Sequence, residues 1–465
     1  RGPNGLSFEI GPWAEDALRV IAPGETIKTP AVHLGHVEGD LDSTVQAMHD
    51  HVRRSVLPAR KAERSYRMEF SIPGDQGYHT GAEFNEASLL KSVDVAAAIG
   101  MELFIVDAGW WDVYGEFVPP RARFPRGLEP VADYAHEKGL LFGLYTEVEG
   151  GRGNWSESRL AREHPDWLRA QNVIRIDRPE VAAYVESELI RVIDRYGLDL
   201  YRHDFIPAPS PVDGSPHTHQ GPSTLRDGFV ESNYWRYYEN YYAIWDRIRA
   251  RYPDLVLQMC SNGGWREDLD MMGRFHETYT SEGSVPRVLP PYAGKTVALP
   301  PEVLAIGYKD QKDSQLRITF SVTPPWILSG TAPSIEELSP GRRERYLHYA
   351  DIYRGFIRPL WPTCRVYHHS PVSSRGGVES SPWFAIEYAA PDRTKGWVTI
   401  VRLGASGTDT YMLKPRGLDG GMEYRVTFDS MNTTTNIDGM SLVGEGLPIR
   451  LEEVEASELV LFEAM

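Results

Sequence analysis

Cysteine is nearly absent. The 465-residue chain has two, Cys260 and Cys364, too few for a disulfide framework, so both are read as free thiols and stability must come from apolar packing. A basic surplus is missing as well: the formal charge is -16 at pH 7. That balance disfavours nucleic acid and anionic membrane surfaces, because no excess of cations exists to displace counterions from phosphates. No apolar run reaches the roughly 20 residues a membrane span needs, so a soluble protein is expected. The opening "RGPNGLSFEI" has neither an initiator methionine nor the charged-then-apolar pattern of a signal peptide, and reads as a fragment or a processed product. Internal repeats and low-complexity tracts are lacking. So is a glycine-rich phosphate loop after the first strand-like run, which argues against an open dinucleotide-binding sheet. A neutral ligand fits these absences better than a charged one.

With 41% hydrophobic and 25% charged residues, the chain has a globular composition. Its length exceeds what one core serves, which predicts one domain of about 250 to 300 residues and at least one smaller one. Residues 1–60 hold the β-like runs "LSFEI", "LRVIAP" and "AVHLGHV", then the helical pattern "LDSTVQAMHDHVRRSV". Strands alternate with helices over 61–362: "YRMEFSI", "ELFIVD", "LLFGLY", "LDLYRH", "DLVLQMC" and "FHETYT" read as strands, with two more on "LRITFSV" and "WILSG". The helices between them carry their own boundary signals, Asn85 as a starting cap and Gly100, Gly139 and Gly197 as terminators. Eight such units predict a (β/α)8 TIM barrel in the α/β class. Over 363–465 the runs "WFAIEYAA", "GWVTIVRLG", "YRVTFDS" and "ELVLFEAM" predict an antiparallel β-sandwich.

A barrel of this kind carries its chemistry at the carboxyl ends of its strands. Those ends hold Asp107, then Glu147 and Glu149, then Asp204, then the stretch from Cys260 to Arg266, then Glu282. One acid there is ordinary turn chemistry; acids at four of these five ends point to a shared task. Two chemistries use convergent carboxylates. A divalent metal would take Asp107, Glu147 and Asp204 as oxygen ligands, although no histidine-rich ligand spacing accompanies them. Glycoside hydrolysis uses one acid to attack or activate water and another to donate a proton. The rings of Trp110, Trp111, Tyr114, Phe117, Tyr145 and Tyr201 lie beside the acids in sequence, and sugars present apolar C–H faces to such rings, which favours the second.

The motifs "LFIVDAGWW", "FPRGLEPVADYAHEKGLLFGLYTEVE", "EHPDWL", "RPEV", "LYRHDF" and "CSNGGWREDLDMM…YTSEG" stand in the order and spacing of glycoside hydrolase family 36. The chain resembles that α-galactosidase family from about residue 60 to 360. "LKPRGLDGGMEYRVTFDS" and "ASELVLFEAM" resemble its terminal β domain, and "PGETIKTPAVHLGH" the last strands of its amino-terminal β-sandwich. The resemblance implies a remnant of that sandwich with a linker helix over 1–60, the catalytic barrel over 61–362 and a C-terminal β-sandwich over 363–465. It implies that Asp204, the last residue of the segment matching the family's Lys-Trp-Asp, is the nucleophile. Glu282 of "YTSE" falls on the aspartate of Trp-Thr-Ser-Asp and would be the acid/base, with Glu277 on the same strand as second choice. Arg266 and Asp268 match the family's Arg-x-Asp, which positions the acid and a sugar hydroxyl, and Cys260 and Asn262 fall where it lines the pocket around the 2-position. Trp110, Trp111, Tyr145 and Glu147 complete the expected sugar-binding set.

Departures concentrate in that set. The paired aspartates that hold the 4- and 6-hydroxyls are here Asp107 and Ala108, lysine has become Arg202, tryptophan has become His203, and Trp-Phe-Glu-Pro-Glu has become "YTEVE". A site built to bond a hydroxyl discriminates through that bond, so these exchanges bear on the sugar more than on the reaction. The resemblance implies a retaining, exo-acting α-glycosidase of the α-galactosidase kind, without cofactor or metal, acting on an α-linked oligosaccharide or glycoconjugate. An α-N-acetylgalactosaminidase, another α-hexosidase and a non-catalytic sugar-binding relative are the alternatives. Transglycosylation and homo-oligomerisation are left open by the sequence.

Overall fold

The structure is a computed structural model and describes residues 19–74, 79–150, 153–168, 172–204, 224–281, 288–308, 312–328, 330–370 and 381–465. Residues 19–40 run as extended coil ahead of α1 (Leu41–Ser55), whose first turn is capped by the Asp40 carboxylate. The runs "LRVIAP" and "AVHLGHV" thus do not form strands in their described parts, and "LSFEI" lies outside the described residues. A strand needs a neighbour for its backbone groups, and Val32 and Leu34 stand exposed with no partner strand among the described residues.

The barrel begins with β1 (Glu69–Ile72) and continues through α2 (Glu86–Ala98), β2 (Leu103–Val106), α3 (Glu129–Glu137), β3 (Leu141–Thr146), α4 (Pro179–Tyr196) and β4 (Leu200–His203). It then runs through α5 (Tyr234–Arg251), β5 (Val256–Met259), β6 (Glu277–Ser281), α6 (Leu289–Lys295), β7 (Leu304–Tyr308), α7 (Asp313–Ser321), β8 (Trp326–Leu328) and α8 (Pro340–Ile352). Each strand pairs in parallel with the next, and β1 closes on β8. Local chemistry sets several of these boundaries. Asn85 accepts a hydrogen bond from the Ser88 amide at 3.1 Å and caps α2. Gly197 ends α4 at φ 57°, a left-handed position that costs a glycine nothing. A short hairpin, Thr224–Arg226 with Phe229–Glu231, precedes α5.

The expected seventh strand is corrected. "LRITFSV" is helical and belongs to α7, while the strand is "LAIGY" at Leu304–Tyr308. Every residue of α7 from Gln315 to Ser321 is buried, because the helix lies between the barrel and the C-terminal sheet. Its segment "LRITFSV" alternates apolar with polar residues as a half-buried strand does, while the polar members are satisfied inside, Arg317 by Asp429 and Ser321 by Thr399. The Gln315 side chain also accepts from the Lys312 amide at 3.0 Å and fixes the start of the helix.

The C-terminal region holds β9 (Arg365–His368), β10 (Trp383–Ala389), β11 (Lys395–Arg402), β12 (Thr410–Leu413), β13 (Glu423–Phe428), β14 (Thr433–Asp438), β15 (Leu447–Arg450) and β16 (Ser457–Ala464). One antiparallel sheet has the order β9-β10-β11-β16-β13-β14, and β12 pairs with β15 apart from it. The sheet is fastened to the barrel through α7. Arg317 donates to Asp429 at 2.6 Å, the Trp397 indole donates to the Ser321 carbonyl at 2.7 Å, and the ring of Trp397 stacks on Tyr388 at 4.7 Å. Both cysteines are free and buried, and burial pushes the Cys364 thiol up to about 12. Among the described residues no helix is long and apolar enough to cross a membrane.

Side chains alternate across a strand, so positions 200, 202 and 204 of the β4 strand and its extension share one face. Leu103, Ile105, Leu200 and Val256 form an apolar cluster. A polar cluster formed by Glu69, Ser71, Arg202, Gln258 and Glu277 fills another part of the buried space. Beside it the Trp326 ring stacks on Tyr279 at 4.0 Å, and it fits only because its neighbour on β7 is glycine. A Cβ on Gly307 would lie 2.2 Å from that ring. Gly307→Ala is therefore expected to destabilise the protein by about 1–3 kcal/mol through overpacking. The measurement is the urea midpoint, and Trp326→Leu in the same chain should restore part of the loss.

Candidate active site

The β4 strand, "LYRH", divides its residues between two environments. Arg202 has no exposed surface. Its Nε donates to Gln258, Nη1 donates to Ser71 Oγ at 2.8 Å and to an oxygen of Asp107 at 2.6 Å, and Nη2 donates to Glu69 at 2.9 Å. The rings of Tyr279 and Trp326 lie 4.9 and 5.0 Å from the guanidinium carbon. A lysine, with one nitrogen, could not span these partners.

Asp107 follows β2 and links this interior to the barrel mouth. One oxygen takes the Arg202 bond and the other accepts from the Ala108 amide at 2.8 Å. Burial pushes its carboxyl up; Arg202 and the Ala108 amide pull it back, and the neighbouring charge of Asp204 adds to the rise. Asp204 continues the β3–β4 ladder by one step, its amide donating to the Thr146 carbonyl at 3.2 Å. It stands half-buried one alternation above Arg202. Asp107, Arg202 and Asp204 therefore meet at one end of the barrel. Cys260 shares the arrangement from β5: its amide donates to the His203 carbonyl at 2.8 Å, and it packs with Tyr279, Ala305, Trp326 and Leu328.

Below the mouth, Glu69 and Glu277 are bridged by Gln258, whose Nε2 donates to both at 2.8 and 3.0 Å. Glu277 is also held by Arg60 at 2.6 Å. Burial, then the charge of Glu277, push the Glu69 carboxyl up to about 8 against the opposing pull of Arg202. Burial acts on Glu277 too, but Arg60 and hydrogen bonds from Glu69 and Gln258 outweigh it and lower its carboxyl. Glu277 is thereby a paired acid inside the barrel.

His203 points the other way, among helices. It is fully buried, with its ring near Tyr241 and Trp245 of α5, and Nε2 lies 2.7 Å from Glu149. Arg266 clamps the two oxygens of Glu149 at 2.6 and 2.8 Å, and the Tyr237 hydroxyl donates to the same carboxylate. Burial alone would raise the Glu149 carboxyl, but Arg266 and His203 hold it well below the usual range.

The aromatic residues separate in the same way. Trp110 is core: it is fully buried, and its indole donates to the Tyr145 carbonyl at 2.8 Å. Trp111 and Tyr145 stack at 5.9 Å with planes 7° apart, and the Tyr145 hydroxyl donates to Glu147 at 2.6 Å. Asp268 caps the short helix Leu269–Met272 by accepting from the Met271 amide at 3.0 Å. Asn262 lies on the turn Ser261–Gly264, where Gly264 at φ 86° admits no side chain, since a Cβ would meet the Tyr279 carbonyl at 2.2 Å. Lys295 staples that turn to the end of β6 by donating to the Gly264 carbonyl at 3.1 Å and the Thr280 carbonyl at 2.6 Å, and it pairs with Glu267 at 2.6 Å. Glu282 lies outside the described residues.

Glu69, Ser71, Gln258, Tyr279, Trp326, Tyr237 and Lys295 were not among the residues expected from the sequence. For two of them a signal existed: Glu69 in "MEFSI" and Gln258 in "VLQM" are polar residues inside apolar strands, and such residues are buried with a partner. Among the described residues no group of side chains could hold a metal ion.

The fold and the rim define a (β/α)8 barrel with carboxylates at the carboxyl ends of its strands and a β-rich C-terminal region. A family model described as Melibiase matches residues 26–304. The chain belongs to the Melibiase family, as the resemblance to glycoside hydrolase family 36 implied. It is 29% identical over 267 residues to α-galactosidase Mel36A of Lactobacillus acidophilus, covering 53% of this chain and 34% of that protein. It is 28% identical over 297 residues to α-galactosidase AgaA of Geobacillus stearothermophilus, covering 60% and 38%. The chain thus spans little more than a third of the length of these relatives. A crystal structure of the Geobacillus stearothermophilus enzyme in complex with raffinose has the same fold, with a TM-score of 0.73 at 19% identity over 92% of this chain and 60% of that one.

Two stability measurements probe the interior. Arg202→Met leaves Asp107 and Glu69 buried without their cation and is expected to cost about 3–5 kcal/mol in chemical denaturation. The second uses pH. An unfolded glutamate titrates near about 4.3, whereas Glu69 in the folded chain is pushed up to about 8. The folded protein keeps a proton that the unfolded chain releases, so the stability linked to Glu69 is complete below the lower value, drains as pH rises, and is gone above the higher one. Glu69→Gln, which cannot titrate, should therefore gain stability relative to the parent between pH 5 and 8.5. A stability difference that does not change with pH would show that Glu69 is already ionised at pH 5.

Proposed function

We propose that the chain is a retaining, exo-acting α-glycosidase acting on α-linked galactosides by double displacement. The observation that carries this reading is the meeting of Asp204 and Asp107 at the carboxyl end of the barrel, with Arg202 holding Asp107 from within. The relatives named above are α-galactosidases, and one solved neighbour holds raffinose, which supports a galactoside as the sugar.

In the proposed cycle, Asp204 attacks the anomeric carbon while Glu282 protonates the departing glycosidic oxygen, leaving a covalent glycosyl-aspartate. Glu282 then acts as base, activates water, and hydrolysis returns the aspartate with the anomeric configuration retained. The roles require the two carboxyl groups to lie about 5 to 5.5 Å apart. Asp107 is the hydroxyl acceptor. Trp111 and Tyr145 form an aromatic wall, with Glu147 fixing the tyrosine hydroxyl. Arg266, through Glu149, and Asp268, through its cap, hold the neighbouring loop around Cys260 and Asn262. His203 acts from behind the strand as a support for Glu149, and Trp110 supports Tyr145. The substrate is an α-linked oligosaccharide or glycoconjugate.

Asp204→Ala should lower kcat on an aryl α-galactoside by at least about 10^3-fold, with the folded state intact by circular dichroism. Added azide should then restore turnover and give β-galactosyl azide, because the anion enters the space the carboxylate left. Undiminished activity in Asp204→Ala would end the assignment of the nucleophile. Turnover of an aryl α-N-acetylgalactosaminide in preference to the galactoside would change the sugar and leave the mechanism standing.

A further inference from the structure

The α5 helix carries aromatic side chains on two faces. Tyr237, Tyr241 and Trp245 are buried towards Glu149 and His203. Trp235, Tyr238 and Tyr242, three and four residues apart and so on one stripe, are only half-buried and line a separate cavity of about 310 Å³. The opposite wall is the extended segment from Lys28 to Ala31, and Asp270 and Arg274 bound the groove from beyond the β5 strand. Its rings are held in place. The Trp235 indole donates to Glu239 at 3.0 Å, Arg274 lies 4.2 Å over the Tyr242 ring, and Arg266, the clamp of Glu149, lies 5.4 Å from the Tyr238 ring.

The lining selects a class of ligand. Two cations, Lys28 and Arg274, face two carboxylates, Glu239 and Asp270, so the groove has no net charge to attract an ion. Half-buried rings offer flat apolar area, and the carboxylates offer acceptors at its edge. A ligand with apolar C–H faces and a rim of hydroxyls matches both, and the volume suits a small molecule. We propose that this groove is a second carbohydrate site, which takes a neutral sugar unit of an oligosaccharide on the shoulder of the barrel, apart from Asp204. The choice of an α-galactoside as probe rests on the functional reading above; the groove itself does not.

The test is calorimetric titration of the full chain with raffinose while 1-deoxygalactonojirimycin saturates the pocket at Asp204. Residual raffinose binding is expected. Trp235→Ala should weaken it by about tenfold, Trp235→Phe should restore most of it, and both variants should keep the parent kcat and KM on an aryl α-galactoside. No residual binding, as would follow if another part of the protein fills the groove, overturns the proposal, and so does binding that Trp235→Ala leaves unchanged. Failure of the glycosidase reading would register separately, as an absence of aryl galactoside turnover with Trp235-dependent raffinose binding still present.

Discussion

An arginine without exposed surface has to find all its compensation inside the protein, and the barrel interior is arranged around that requirement at Arg202. Removing a guanidinium from water costs several kcal/mol unless its donors are matched. The matching residues come from β1, β5 and the end of β2: Glu69 and Ser71, Gln258, and Asp107. Arg60 and Arg202 face Asp107, Glu69 and Glu277, one carboxyl more than there are cations, and burial together with the charge of Glu277 pushes the Glu69 carboxyl up. Arg60 sits beyond the amino-terminal end of β1 and Asp107 at the carboxyl end of β2, so a continuous chain of hydrogen bonds runs the length of the barrel.

Alternation along β4 keeps a second ionic system separate from the first. Arg202 and Asp204 face the interior, and His203 between them faces α5, where it joins Glu149, Arg266 and Tyr237. This outer cluster comes from the loops after β3 and β5 and from α5, so it fixes how those loops stand around the mouth. The reaction proposed for Asp204 depends on both systems: the inner one orients Asp107, and the outer one holds the loop that carries Arg266. Lys295 adds a third tie, between the Ser261–Gly264 turn and the end of β6.

Strand and helix alternation made the barrel legible in the sequence, since seven of its eight strands fall on the runs read as strands, several of them just after a helix-ending glycine. The strand after β6 was not, because "LRITFSV" in α7 alternates apolar and polar residues like a strand, and β7 contributes only "LAIGY", a run with glycine at its fourth position. The segment before α1 misled for another reason: apolar residues such as Leu34 read as a strand, but a strand is defined by its neighbour and none adjoins it among the described residues. At the site, the strand-end acids were visible as a series, whereas the partners that hold them were not. Ser71, Tyr279 and Trp326 lie far from Arg202 in the chain and meet it only when β1, β6 and β8 close the barrel. The facing of His203 and the burial of Trp110 likewise depend on strand register and loop path, which local patterns do not encode.

The exchange of lysine for arginine and the loss of one acid at Ala108 belong to one physical arrangement. With Arg202 occupying one oxygen of Asp107 and the Ala108 amide the other, the carboxylate is fixed in direction when the protein folds. In the proposed reaction a hydroxyl would meet an acceptor whose reorganisation is already complete, and a single well-held acid discriminates where a loosely held one adapts. A second acid beside Asp107 would add another negative charge to an interior in which burial and the charge of Glu277 already push the Glu69 carboxyl up. An alanine there avoids that charge, and in the reaction proposed for Asp204 the direction of the Asp107 lone pairs is then set by Arg202 and the Ala108 amide.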